Sequence, residues 1–328
     1  MIVERDGSRL FNADCVSGAL EYLTDGSVDL IVTDPPYGIR GDELHRHYNR
    51  DERFVVAGYV EVPAQRYAEF SRAWIAQAER VLRPGGQIYV VSGYTNLPDI
   101  LNALRSTTLL ELNHIVWKYN FGVYTSRKFV SSHYHILYYA KPGTPRTFNL
   151  ESRFARDERD ERGGSPGYRD REDVWTINRE YKPGRKKNKN ELPLALLEKM
   201  LLYSSNEGDL ICDFFMGGGS TAVACAGLSR RFAGFEISPR IFRRVVERVA
   251  AVRPGGLLEA RPSKPSAAAV ANRGKRWNPG DVRAVLQRYD QLAAGGTAKK
   301  RIVAALGTEF GRGPWAIAKV VKDRRRAR

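Results

Sequence analysis

The chain of 328 residues has only three cysteines, Cys15, Cys212 and Cys225, and no two stand at metal-ligand spacing. An odd, scattered set argues against a disulfide framework and for a reduced, cytoplasmic setting. No apolar run is long enough to span a bilayer, so no membrane partner is expected. The opening residues Met1-Ile2-Val3-Glu4-Arg5-Asp6 lack the anatomy of a signal peptide. The G-x-G-x-x-G spacing of a dinucleotide site and the Gly-Lys-Ser/Thr of a phosphate loop are both missing. Internal repeats are absent as well.

What the chain has is positive charge, unevenly placed. The formal net charge is +16, and residues 251–328 hold 18 Lys/Arg against 5 Asp/Glu, or +13 of it. The body is therefore near neutral, and the tail suits a polyanion. A merely solubilising tail is the plain alternative.

Apolar runs ending in polar or Gly/Pro punctuation predict strands of a buried parallel sheet at 28–33, 87–92, 114–119, 136–140, 210–214 and 231–236. Helical patterns lie between them, as at 67–81 and 194–203, the latter just after Pro193. Alternation of this kind means an α/β sheet with crossover helices. Residues 38–63 and 148–190 read as long polar loops, functional or mobile. Residues 259–274, with Pro262, Pro265 and an Ala run, read as a linker. Beyond it, Asn278-Pro279 opens a helix with Val282, Val285, Leu286 and Tyr289 on one face, followed by short helices at 300–306 and 315–323. Three short helices, the last one basic, are loosely similar to a helix-turn-helix module; a dimerisation bundle is the rival.

Two stretches carry chemistry. Asp34-Pro35-Pro36-Tyr37-Gly38 ends the first central strand with a carboxylate, a stiff diproline and an aromatic face. Asp213-Phe214-Phe215-Met216-Gly217-Gly218-Gly219-Ser220-Thr221 follows another strand and precedes an Ala-rich helix, where glycines let a ligand approach backbone N–H groups. Glu236 ends the next strand, 23 residues beyond Asp213. In Rossmann-like sheets an acid about 20 residues past the Gly-rich turn takes ribose hydroxyls. Each feature alone is weak, since Gly-rich turns and surface acids are common. Together they describe a site for a nucleoside-bearing cofactor without a pyrophosphate.

The DPPY motif followed far downstream by this D-x-F-x-G-x-G-[ST] loop resembles the S-adenosylmethionine-dependent DNA amino-methyltransferases. The motif order is that of their β class, in which the target-recognition region lies between the two. Three other segments agree: Phe11-Asn12-Ala13-Asp14-Cys15, Leu82-Arg83-Pro84-Gly85-Gly86, and Trp117-Lys118-Tyr119 with Arg127, Phe129 and His133-Tyr134-His135. The resemblance covers roughly residues 9–250. Phe214 and Gly218 depart from the usual DPF-x-GSG loop, and Leu192 stands where much of the family has a lysine.

The resemblance implies a Rossmann-like methyltransferase sheet over residues 1–258. It would carry an inserted target-recognition region near 120–190; beyond the reach of the resemblance, the helical pattern and charge make the basic tail, 275–328, a small C-terminal domain. It implies Asp34, Pro35, Pro36 and Tyr37 as catalytic. Asp14, Cys15, Asp213, Phe215, Gly217, Gly219, Ser220, Thr221 and Glu236 would hold S-adenosyl-L-methionine, with no metal. Lys118, Arg127, Lys128 and His133 would meet double-stranded DNA; outside the resemblance, the basic charge of the tail singles out Arg312, Lys319 and Lys322 for the same role. Homodimerisation is a family expectation. Aspartate at the head of the motif favours N6 of adenine; family members acting on N4 of cytosine more often carry serine there. A protein-glutamine methyltransferase would show asparagine at that place. A catalytically silent DNA-binding regulator is the rival from another class.

Overall fold

The computed structural model describes residues 1–36, 62–120, 126–156, 158–160, 163–179, 191–260, 272 and 275–326. Two compact units emerge, one of residues 1–153 and 172–260, the other of residues 154–171 and 261–328.

The first unit is built on nine strands: β1 (Ile2–Arg5), β2 (Ser8–Phe11), β3 (Val28–Thr33), β4 (Leu82–Ser92), β5 (Leu110–Lys118), β6 (His133–Ala140), β7 (Val174–Thr176), β8 (Leu210–Asp213) and β9 (Arg231–Phe235). They form one sheet in the order β1-β2-β9-β8-β3-β4-β6-β5-β7. Nearly every residue of β3 is buried, as expected of a parallel strand covered on both faces. Its side chains alternate between two cores. Leu30 and Val32 feed one, Ile31 the other, and Tyr89 and Val91 against Ile88 and Val90 do the same in β4.

The helices α1 (Cys15–Tyr22), α2 (Tyr67–Val81) and α3 (Leu97–Arg105) cover one face through Ala19, Trp74 and Ile100. The helices α4 (Leu194–Ser204), α5 (Ser220–Gly227) and α6 (Pro239–Ala250) cover the other through Leu197, Ala222 and Phe242. In α2 the buried positions Tyr67, Ser71, Trp74, Ile75, Ala78 and Val81 form one stripe at helical spacing.

The sheet is not wholly parallel. From β2 to β4 the strands run parallel, but β6 is antiparallel to β4 and β5 antiparallel to β6. The connection from β5 to β6 carries no crossover helix among its described residues, and antiparallel strands can be joined by such a loop. The hairpin β1-β2 turns on Asp6-Gly7, both at positive φ, the turn chemistry that hairpins favour. Residues 148–179 are not all loop: they contain β7 and a helical turn, Pro166–Asp170.

Because β2, β9, β8, β3 and β4 are parallel, their C-terminal ends share one edge. The chain leaves β3 toward β4 on one side and β8 toward β9 on the other. The crevice between β3 and β8 is thus a topological switch point, where ligands of open α/β sheets bind.

In the second unit, α7 (Pro279–Ala294), α8 (Lys299–Glu309) and α9 (Pro314–Arg326) pack around Val285, Tyr289, Ile302, Leu306 and Ile317. Asn278 caps α7 by accepting from the Asp281 N–H at 2.7 Å. Residues 154–171, expected within the target-recognition region, belong to this unit, with Gly163 lying against the Trp315 ring.

Among the described residues no helix is long and apolar enough to cross a membrane.

Candidate active site

The strand β3 delivers Asp34, Pro35 and Pro36 to the switch point. Pro35 is buried, while Asp34 and Pro36 are half-buried. Tyr67, at the start of α2 and itself buried, donates its hydroxyl to the Pro36 carbonyl at 2.7 Å. The diproline fixes φ, and this bond fixes the carbonyl that follows. Tyr37 and residues 38–61 lie outside the described residues.

On the adjacent strand, β8 ends in Asp213, which is 4% exposed. Its Oδ1 accepts from Thr33 Oγ1 at 2.8 Å and from the Phe215 N–H at 3.0 Å, and Oδ2 accepts from Thr221 Oγ1 at 2.8 Å. Burial pushes this carboxyl up to about 6, against the pull of those three donors. Asp213 and Thr221, expected as cofactor contacts, instead turn inward. They tie the end of β3, the Gly-rich loop and the start of α5 into one piece.

The loop is shaped by close approach. Gly219 has φ +77°, and a Cβ there would lie 2.5 Å from Val245 Cγ1 of α6, so only glycine fits. Gly217, at φ +49°, is different: a Cβ would meet nothing nearer than the Phe215 carbonyl at 3.7 Å. Space stands open above that backbone. Phe215 packs edge-on against Trp74 with ring centroids 5.4 Å apart. Ser220, the first residue of α5, is half-exposed.

Facing Gly217 is Glu236, just past β9 and half-buried. The N–H groups of Ser238 and Gly217 donate to its carboxylate, the former at 2.7 Å. Burial nonetheless lifts it to about 7, with the charge of Asp213 adding to the rise. Asn12 Nδ2 donates to the Glu236 carbonyl at 2.7 Å, pinning the acid to β2. Ile237 beside it is 52% exposed, an apolar face next to a polar acceptor.

The element after β2 is less direct than its pattern suggests. Asp14 is exposed, but its Oδ1 caps α1 by accepting from the Val16 and Ser17 N–H groups, both at 3.0 Å. The Cys15 thiol is buried in the core beside Phe11 and Ala19, and burial raises it far above a reactive range. Its side chain is therefore part of the core.

Charge pattern alone gave no reason to single out Arg248. From α6 it donates to the Gly218 carbonyl at 2.6 Å and to Glu191 Oε1 at 2.8 Å. It clamps the Gly-rich loop to the segment before α4, where Leu192 is buried.

The expected DNA contacts divide. Lys118 ends β5 opposite His133 of β6, both exposed, as are Arg127 and Lys128 in the loop between those strands. Register places Lys118 and His133 on the switch-point edge, since Ser92 pairs with His135 and Thr33 with Val90, and Arg127 and Lys128 lie in the loop that joins their strands. They stand two or three strands from β3, about 10–15 Å at sheet spacing. In the second unit Lys319 and Lys322 are exposed on α9. Arg312 is not. It is 6% exposed, lies 4.4 Å over the Trp277 ring and donates to the carbonyls of Lys275 and Arg276. Its charge serves the packing of the three helices, and it leaves the set of phosphate contacts.

Comparison with known proteins agrees with this geometry. The model of the N6/N4 methyltransferase family, described as DNA methylase, matches residues 28–247. The type II methyltransferase M.HpaI of Haemophilus parainfluenzae is 31% identical over 239 residues, covering 70% of this chain and 71% of that protein. The crystal structure of M1.HpyAVI in complex with SAM superposes with a TM-score of 0.51 at 22% identity, covering 73% of this chain and 98% of that one. The PvuII DNA methyltransferase, which is cytosine-N4-specific, gives 0.56 at 14% identity, covering 74% of this chain and 86% of that one. These two likenesses concern the fold.

Proposed function

Since the chain belongs to the N6/N4 DNA methylase family, and so is a DNA methyltransferase that uses S-adenosylmethionine, we propose that its target is N6 of an adenine turned out of double-stranded DNA. The choice of adenine rests on the aspartate, Asp34, at the head of the motif, and the pairing of that motif with the cofactor loop rests on the bond from Thr33 to Asp213. It joins the strand that ends in Asp34-Pro35-Pro36 to the strand that ends in the Gly-rich loop. An acceptor pair and a cofactor loop thereby share one crevice.

The residues present fit the cofactor. Glu236 offers a carboxylate to vicinal ribose hydroxyls, Ile237 an apolar face to a base, and Gly217 leaves the space above its backbone open. The cofactor supplies a methyl group on a sulfonium, already activated toward a nitrogen nucleophile. Everything else falls to the chain.

The adenine amino group is a poor nucleophile because its lone pair is delocalised into the ring. The Asp34 carboxylate and the Pro35 carbonyl each accept one of its N–H groups, which orients the nitrogen and favours pyramidalisation. Pro35 and Pro36 hold these acceptors in place in advance, so no reorganisation accompanies the reaction. The nitrogen, on taking up the methyl group, would lose one amino proton, which Asp34 would accept and pass to water. Alignment supplies most of the acceleration. Tyr37 supplies a stacking face for the base. The target must leave the duplex to reach the crevice.

Lys118, Arg127, Lys128 and His133 grip the duplex beside the crevice, and Lys319 and Lys322 add phosphate contacts from the tail. Single-molecule sequencing of DNA from cells producing this chain tests the reading. Modified adenines at one sequence support it; modified cytosines would transfer the assignment to N4.

A further inference from the structure

One side chain near the switch-point edge has no packing role. Phe129 is 98% exposed, whereas the next most exposed large apolar side chain among the described residues is Met1, at 74%. A phenylalanine left wholly in water forgoes the favourable burial of its ring. Phe148, also partly exposed at 41%, still stacks on Tyr203 with centroids 5.4 Å apart.

The setting of Phe129 is specific. Exposed Arg127 and Lys128 precede it, and the loop returns at once to the sheet, the Tyr119 N–H donating to the Ser132 carbonyl at 3.0 Å. Lys118 and His133 flank the loop base as a cross-strand pair. An aromatic ring thus stands out of a basic loop on the edge that presents Asp34, about two or three strands away.

Resting on the DNA-methyltransferase reading, we propose that Phe129 is a wedge that enters the base stack as the target base leaves it. Flipping a base costs a few kcal/mol of stacking and pairing. An apolar side chain inserted between base steps offsets part of that loss. The neighbouring cations position the loop on phosphates, and the ring restores a stacking partner to the bases left behind.

The experiment uses the full chain and a duplex carrying its mapped site. Methyl transfer by wild type, Phe129→Ala and Phe129→Trp is measured on the fully paired duplex and on the same duplex with an abasic position opposite the target. A wedge predicts that Phe129→Ala lowers kcat/KM about 10- to 100-fold on the paired duplex, the worth of one stacking interaction. On the abasic duplex, where flipping is cheap, the same variant should come within a few-fold of wild type. Phe129→Trp should keep activity on both. Equal loss on the two duplexes, or no loss on either, overturns the proposal. Equal loss accompanied by a change of oligomeric state in light scattering would assign the ring to a contact between copies instead. Failure of wild type to methylate either duplex would strike at the methyltransferase reading itself, so the two failures are distinguishable.

Discussion

Asp34 follows β3, a strand buried at all but one position, and replacing it with alanine should separate chemistry from cofactor binding. Removing one preorganised polar partner of the reacting group typically costs about 10²–10³ in rate. Asp34→Ala should therefore fall by that order in single-turnover methyl transfer, while calorimetry returns near wild-type cofactor affinity. Turnover within a few-fold of wild type would remove Asp34 from the chemistry. Glu236 gives a second test at this scale. Its carboxyl is raised from 4.5 to about 7 in the folded protein, so the folded state holds a proton that the unfolded chain has lost between those values. Stability from this group thus falls as pH rises from about 4 through 7. Asp213, raised from 3.8 to about 6, acts in the same direction. Ribose hydroxyls favour the ionised acid, so cofactor affinity should climb with pH and level off above about 7. Glu236→Gln should bind more weakly and lose most of that pH dependence in calorimetry at pH 6 and 8. A variant with an unchanged profile would show that another group titrates.

The Gly-rich loop shows how an element, rather than one side chain, makes the site. Gly219 combines a left-handed backbone with a clash against Val245. Gly219→Ala should weaken cofactor binding, and adding Val245→Ala should restore it only in part, because the backbone strain of about 1–2 kcal/mol persists. Full rescue would mean the clash alone matters. Much at this scale was legible in the sequence. β3, β8 and β9 are short, almost wholly apolar runs ending in polar residues, the signature of strands buried on both faces. The direction of β6 was not legible, because an apolar run reads the same parallel or antiparallel. β7 has only three residues, too few to show a period. The hairpin β1-β2 carried its signal in Asp6-Gly7, but it sits on a half-exposed edge without a dense apolar run. At the site, the loop glycines and Glu236 could be placed from spacing. That Asp213 faces inward could not, because spacing does not say which way a carboxylate turns. Arg248 and Arg312 were hidden for a related reason: an arginine among surface charges looks the same whether it meets solvent, a carbonyl or an indole ring.

Across the whole molecule the excess charge lies in the tail, and the roles of its cations can be told apart by salt. Removing one cation that neutralises a phosphate should make the slope of log affinity against log salt shallower by about 0.9. Lys319→Ala with Lys322→Ala should therefore flatten it by up to about 1.8, with thermal stability little changed. Arg312→Ala should do the reverse, lowering the stability of the three-helix unit and leaving its intrinsic phosphate contacts in place. If the lysine pair leaves the slope unaltered, α9 is not at the DNA. The central claim, that the acceptor pair after β3 and the cofactor loop after β8 together methylate adenine, is tested most directly by isotope. Duplex DNA is incubated with the protein and S-adenosylmethionine carrying a trideuterated methyl group, then digested and resolved as nucleosides by mass spectrometry. The predicted result is labelled N6-methyldeoxyadenosine from wild type and almost none from Asp34→Ala. Labelled N4-methyldeoxycytidine, or equal label from both proteins, would contradict it.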